Sequence, residues 1–162
     1  MKEQVNVSYR PLNEKDLALL FNLFQEARFK ERYGTDEAFL KESRPEGCYF
    51  SIEFGERKQW VGFMSLTDFN QAKDEAWLSI GICPDFWGRG IGTLALQGLI
   101  EDCFSVRHMK RLHLFVFATN QHALNLYQKL GFLITAYLPT PFGEVYQLCL
   151  ENSGGFSNEK QD

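Results

Sequence analysis

No stretch of this sequence stays apolar long enough to cross a bilayer, and its opening residues, Met1-Lys2-Glu3-Gln4, contain no apolar run of signal-peptide length. A cytoplasmic location without a membrane partner is the expectation. Paired cysteines are missing too. Cys48, Cys83, Cys103 and Cys149 lie far apart, without zinc-site spacing or the density of a disulfide scaffold, so all four are expected to be reduced. His108, His113 and His122 lack ligand-like company along the chain, and no metal site is expected. Basic charge is scarce as well: 17 Lys and Arg against 21 Asp and Glu leave a formal net charge of −4. Neutralising phosphates needs a basic face that this chain does not offer, which argues against a nucleic-acid partner. A mild acidic excess favours a cationic substrate weakly.

The 162 residues suffice for one domain with a proper core and are few for two, so a single domain over 1–151 is expected, followed by a frayed Ser/Gly-containing tail over 152–162. Aromatic residues make up 15% of the chain, which fits either a well-filled core or an apolar ligand groove. After an alternating start (Val5, Val7, Tyr9), Asn13 reads as a helix cap with Asp16 three positions on, and Leu17, Leu20, Phe21 and Phe24 repeat at helical spacing. Thr35 with Asp36 and Glu37 looks like a second helix start, carrying Phe39 and Leu40 and ending before Pro45. Strands are predicted over Cys48–Phe54, Gln59–Thr67 and Glu75–Cys83, the first two joined by a turn at Gly55. A helix over Thr93–Phe104 points Leu96, Leu99, Ile100 and Cys103 inward. His113–Ala118 reads as a strand, and Asn120 opens a helix with the stripe Ala123, Leu126, Tyr127, Leu130, capped by Gly131. Strands at Phe132–Leu138 and Glu144–Leu150 close the pattern, with a turn over Pro139–Gly143.

Between the third strand and its helix lies the most informative stretch, Gly81-Ile82-Cys83-Pro84-Asp85-Phe86-Trp87-Gly88-Arg89-Gly90-Ile91-Gly92-Thr93. Clustered glycines before a helix start can aim several backbone N–H groups at one anion, and the helix end adds partial positive charge. Arg89 offers a charge-assisted contact. The dinucleotide fingerprint and the Gly-Lys-Ser/Thr loop of ATP sites both require other spacings. A plain glycine-rich turn between core elements is the alternative reading.

This stretch resembles the pyrophosphate-binding motif of the Gcn5-related N-acetyltransferases, which usually runs Arg/Gln-x-x-Gly-x-Gly/Ala after a strand and a Pro; Trp87 stands at the first position, and Gly90 and Gly92 match the others. The Trp is similar to the branch of ribosomal-protein N-terminal acetyltransferases, with spermidine acetyltransferases broadly related. A second segment, Asn120-x-x-Ala123-x-x-x-Tyr127-x-Lys129-x-Gly131-Phe132, is similar to the family's other characteristic motif. The resemblance spans approximately Val7 to Leu150.

It implies an α/β acyl-CoA N-acyltransferase fold: a mixed, mostly antiparallel twisted sheet with helices on both faces. It further implies direct acetyl transfer from acetyl-CoA to a primary amine on a protein N-terminus, polyamine or metabolite. In this picture the strand before the loop is splayed from its neighbour. Backbone of Ile80, Gly81 and Ile82 pairs with the pantetheine arm, one N–H serving as oxyanion donor, while Gly88, Arg89, Gly90, Ile91, Gly92 and Thr93 hold the diphosphate. Trp87 is either ligand or packing. Asn120 contacts pantetheine, or is simply a helix cap, or both. Tyr127 becomes the acid facing the coenzyme sulfur, although periodicity alone favours a core tyrosine. Glu75 is the candidate general base, against the plainer reading of an exposed hairpin-edge Glu, with Asp68, Glu53 and Glu144 as weaker competitors. Cys83 as a covalent nucleophile is rejected, since no partner lies near it in the chain and the family transfers directly. Homodimers are common among relatives, but the residues do not declare one. Two rivals stand beside the enzyme: a silent coenzyme A-binding module, which needs the glycines but not Tyr127, and an interaction domain that binds no nucleotide.

Overall fold

The computed structural model describes residues 6–33 and 47–153. In chain order the elements are β1 (Val7–Pro11), α1 (Asp16–Gln25), α2 (Ala27–Tyr33), β2 (Cys48–Phe54), β3 (Gln59–Thr67), β4 (Glu75–Ile82), α3 (Ile91–Glu101), β5 (Arg111–Phe117), α4 (Gln121–Lys129), β6 (Leu133–Thr140) and β7 (Gly143–Glu151). A 3₁₀ turn, Pro84–Phe86, precedes α3, and a π-helical turn, Asp102–Val106, extends it. The strands form a mixed α/β sheet in the order β1-β2-β3-β4-β5-β7-β6. The β1–β2, β2–β3, β5–β7 and β6–β7 ladders are antiparallel and β4–β5 is parallel, as the expected fold class requires.

The chain divides into two compact units, Met1–Leu66 with Ser79–Leu96, and Thr67–Leu78 with Gln97–Asp162. In the first, Leu20, Leu23 and Phe24 of α1 and Phe29 of α2 pack with Phe63 of β3. Phe24 meets Phe29 edge-on at 5.5 Å, and each such ring removed from water contributes roughly 2–3 kcal/mol. The expected stripe on α1 is only half right. Leu20 and Phe24 are buried, but Leu17 and Phe21 are about half exposed and Leu23 takes the inward place. The expected helix at Thr35–Leu40 lies outside the described residues. Helix α2 was not legible, because Ala-Arg-Phe-Lys-Glu-Arg-Tyr carries no apolar stripe beyond Phe29 and Tyr33.

The reciprocal bonds expected of Asn13 and Asp16 form in the turn ahead of α1, whose own cap position, Lys15, makes no side-chain bond: Asp16 N–H donates to Asn13 Oδ1 at 3.2 Å and Asn13 N–H donates to Asp16 Oδ2 at 3.0 Å. Asp16 is also buried and holds β1, α1 and β2 together. Arg10 grips it with two hydrogen bonds (2.7 and 3.0 Å), the Ser51 hydroxyl donates at 2.8 Å, and Trp60 Nε1 donates to that hydroxyl at 2.9 Å. Hydrogen bonds from Arg10 first of all hold the Asp16 carboxyl down to about 2. Because the folded value lies below the ordinary carboxylate value, this stabilisation is complete above about pH 4 and disappears as pH falls towards 2; it amounts to about 2 kcal/mol. Asp16→Asn is therefore expected to lower the unfolding free energy by about that amount at pH 7 in urea titrations. The deficit should shrink when the same titrations are run near pH 3.

In the second unit Leu99, Ile100, Cys103, Leu112, Leu114, Val116, Phe132 and Leu148 are buried. Leu99, Ile100 and Cys103 thus face inward as predicted, although α3 begins two residues before the expected Thr93. Helix α4 ends as foreseen: Gly131 N–H donates to Gln128 O and Phe132 N–H to Tyr127 O, both at 3.0 Å, with Gly131 left-handed. The turn between β6 and β7 is tighter than expected, since Pro139 still pairs with Glu144. Asn152, assigned to the frayed tail, is tied down through its side chain to the carbonyls of Phe104 and Met109.

Candidate functional site

The glycine-rich stretch lies wholly in the first unit. Strand β4 ends at Ile82, and Pro84–Phe86 makes a single tight turn in which Phe86 N–H donates to Cys83 O and Trp87 N–H to Pro84 O. The Trp87 amide is thereby committed within the turn, and its indole Nε1 donates to Ile82 O at 2.8 Å. Both N–H groups of this residue serve the loop itself, so among the two sequence readings the geometry favours packing. Gly88 and Gly90 both have φ +78°, a conformation that side-chain-bearing residues avoid, and an added Cβ at either would meet nothing within 4 Å. Open space and left-handed turns are what close approach of an anion needs.

Leu94 N–H donates to Gly90 O at 3.2 Å, so Gly90 caps α3 and the amides of Ile91, Gly92 and Thr93 are its first turn, without helical acceptors. Arg89 is exposed, its guanidinium 5.0 Å over the Phe86 ring. Gly81 has a different reason for lacking a side chain. Its Cβ would sit 2.6 Å from the Phe63 ring and 2.7 Å from the Phe29 ring, so the glycine lets α2 and β3 close on β4. Ile82 is buried and Ile80 half-buried. Burial pushes the Cys83 thiol up to about 11, which opposes the thiolate a covalent mechanism would need.

The second unit holds the remaining predicted residues. Asn120 caps α4, its Oδ1 accepting from Ala123 N–H at 3.3 Å. Tyr127 is buried on the same helix with its ring 5.8 Å from that of Phe132. Glu75 opens β4, whose parallel ladder with β5 pairs Glu75 with Arg111 and Trp77 with His113. It is not the exposed hairpin-edge residue of the plainer sequence reading. Its Oε1 faces His113 Nε2 at 2.8 Å, and Arg111 Nη1 lies 3.5 Å from Oε2.

Sequence reasoning missed His113 as a partner, because the contact runs between residues 38 apart across a parallel ladder. Facing a carboxylate, Nε2 carries the proton, and the buried Nδ1 has no described hydrogen-bond partner. Trp77 stacks on His113 at 5.1 Å and on Phe115 at 4.6 Å, forming an aromatic row beside the carboxylate. The competing carboxylates Glu53 and Glu144 are engaged by Arg10 and by the Tyr137 hydroxyl; Asp68 takes a left-handed turn conformation after β3. Among the described residues no cluster of His, Cys, Asp or Glu could hold a metal ion, and no helix is long and apolar enough to cross a membrane.

Comparison with known proteins adds independent findings. The family model described as Acetyltransferase (GNAT) family matches residues 17–132. The spermidine N(1)-acetyltransferase of Escherichia coli is 29% identical over 150 residues, covering 85% of this chain and 78% of that protein. The ribosomal protein bS18-alanine N-acetyltransferase of Salmonella typhimurium is 40% identical over 75 residues, 43% of this chain and 50% of that one. Among solved structures, the spermidine N-acetyltransferase of Vibrio cholerae in complex with CoA and spermine superposes with a TM-score of 0.78 at 21% identity, covering 91% of this chain and 96% of the other. With the loop, the second motif and the family model in agreement, the chain belongs to the acetyltransferase (GNAT) family.

Proposed function

We propose that the protein transfers the acetyl group of acetyl-CoA directly to a primary amine, with a polyamine as the favoured acceptor class. The observation that carries this reading is the loop. Two left-handed glycines facing open space are followed by the amides of Ile91, Gly92 and Thr93 at a helix's positive end. Gly88, Arg89, Gly90, Ile91, Gly92 and Thr93 hold the diphosphate, while backbone of Ile80, Gly81 and Ile82 and the Asn120 side chain receive the pantetheine arm. Bound acetyl-CoA supplies the activated acetyl group. A backbone N–H of Ile80 to Ile82 donates to the thioester oxygen, a contribution of about 3 kcal/mol when such a donor is pre-aimed.

An amine of pKa about 10.4 costs roughly 4.6 kcal/mol to hold neutral at pH 7, so a proton acceptor is required. Glu75 serves, directly or through water, its carboxylate oriented by His113 and Arg111. Tyr127 donates a hydrogen bond to the leaving sulfur. The polyamine preference draws on the spermidine acetyltransferases among the relatives, on the acidic balance of the chain and on the Trp77–Phe115 row beside Glu75, a pairing of ring faces and carboxylate suited to a cation. Four free cysteines are consistent with a reducing, cytoplasmic compartment.

The experiment is an acceptor screen that reads thiol release with spermidine, spermine, N-terminal peptides and aminoglycosides. Turnover with polyamines at least tenfold above peptides is expected. Peptide turnover in its place would move the protein to the N-terminal acetyltransferases, and tight coenzyme binding without turnover of any amine would favour the silent module.

A further inference from the structure

The family's motif opens with a side chain able to donate to the diphosphate, and this chain puts Trp87 there. The indole cannot substitute, since its one N–H is held by Ile82 O at 2.8 Å. That bond does fix the ring, and a guanidinium rests on it: Arg32 Cζ lies 3.5 Å from the Trp87 ring centroid. Arg32 comes from α2, in the same compact unit as the loop. One turn earlier on that helix, Arg28 reaches Asp85 at 2.9 Å, so α2 is fastened to the segment that enters the loop.

The two arginines are placed for different tasks. Arg28 is neutralised by Glu26 and Asp85, whereas Arg32 forms no ion pair with a described carboxylate. Its near neighbour is the Tyr33 hydroxyl, whose pKa burial raises and the Arg32 charge pulls back. A guanidinium stacked on an aromatic face keeps its in-plane N–H donors directed outward from the ring edge, where they can engage two phosphate oxygens together. Stacking also restricts the side chain beforehand, which lowers the ordering cost of gripping a ligand.

We propose that Arg32 supplies the side-chain donor missing from the first motif position, donating to the coenzyme A diphosphate from α2, with Trp87 as the shelf that presents it. The inference rests on the loop being the diphosphate site. It makes the cofactor site bipartite: backbone amides from Gly88 to Thr93 on one side, and a side chain remote in sequence on the other.

The test measures calorimetric affinities of the parent, Arg32→Gln and Arg32→Lys for coenzyme A, dephospho-coenzyme A and pantetheine, with ligand-free melting temperatures as a check on folding. Arg32→Gln is expected to weaken both nucleotide ligands by on the order of tenfold, as for a lost hydrogen bond to a charged group, and to leave pantetheine unchanged. Arg32→Lys should fall between, keeping the charge without the fork. Parent-like coenzyme A affinity in Arg32→Gln would overturn the proposal. So would an equal loss for pantetheine, which makes Arg32 a support of the fold, or a loss confined to coenzyme A, which moves the contact to the 3′-phosphate. Failure of the loop reading is a separate outcome: the parent itself would then bind dephospho-coenzyme A no better than pantetheine.

Discussion

Gly90→Glu is expected to weaken coenzyme A binding at least hundredfold while the protein still folds. Two effects act at this position, and their sizes differ. The backbone is left-handed at φ +78°, which costs a residue with a side chain roughly 1–2 kcal/mol. A Cβ there meets nothing within 4 Å, so no steric clash adds to that cost. Gly90→Ala therefore isolates the backbone effect: a loss of about 1 kcal/mol in unfolding free energy, with coenzyme affinity changed only a few-fold. The glutamate adds a negative charge beside a diphosphate. At about 5 Å and an effective dielectric constant near 20, each unit of like charge costs about 3 kcal/mol, the equivalent of a hundredfold or more in the dissociation constant. Calorimetric titration of both variants with coenzyme A separates the contributions. If the glutamate variant binds like the alanine variant, the diphosphate does not sit at this loop, and the assignment of Gly88 to Thr93 goes with it.

The geometry of that loop could be read from the sequence because it is local: left-handed turns and consecutive amides at one helix end need only the right glycines in order. The strands β2 and β3 were equally plain, two β-rich runs with continuous buried stretches on either side of a turn at Gly55 whose positive φ matches its residue type. Where function depends on residues distant in the chain, the sequence was silent. Asp16 looked like half of a helix cap, and nothing near it in the chain announced that Arg10 and Ser51 would converge on the same buried carboxylate. His113 seemed without company because its partner Glu75 is reached only when two parallel strands align. Arg32 belongs to a short charged helix with no stripe to reveal it, and its relation to Trp87 exists only once α2 has packed on Gly81 through Phe29. Sequence patterns report on which face of an element is buried; the partners across a sheet or between helices are set by register and packing, which no local window contains. The same limit explains α1, where helical spacing was right but the inward face was rotated towards Leu23.

Tyr127→Phe is expected to lower kcat by about a hundredfold with the coenzyme dissociation constant unchanged within a factor of about three. Periodicity placed Tyr127 in the core stripe of α4, and it is indeed buried against Phe132, so burial alone does not separate a structural ring from a catalytic hydroxyl. Removing only the hydroxyl does, since phenylalanine keeps the ring and its packing. A phenol of pKa about 10 facing a thiol of about 8.5 makes full proton transfer roughly 2 kcal/mol uphill in water, so the role proposed for the hydroxyl is to donate a hydrogen bond as negative charge develops on sulfur. Hydrogen bonds to charged groups contribute about 1.5–3 kcal/mol, which sets the expected hundredfold scale. The bond matters little while the thioester is intact, and an interaction that strengthens only in the transition state appears in kcat and leaves ground-state binding alone. A purely structural hydroxyl gives the opposite pattern: a lower melting temperature and kcat close to that of the parent. Parent-like turnover in a folded Tyr127→Phe protein would remove this residue from the mechanism and leave thiolate departure to the solvent and the backbone amides.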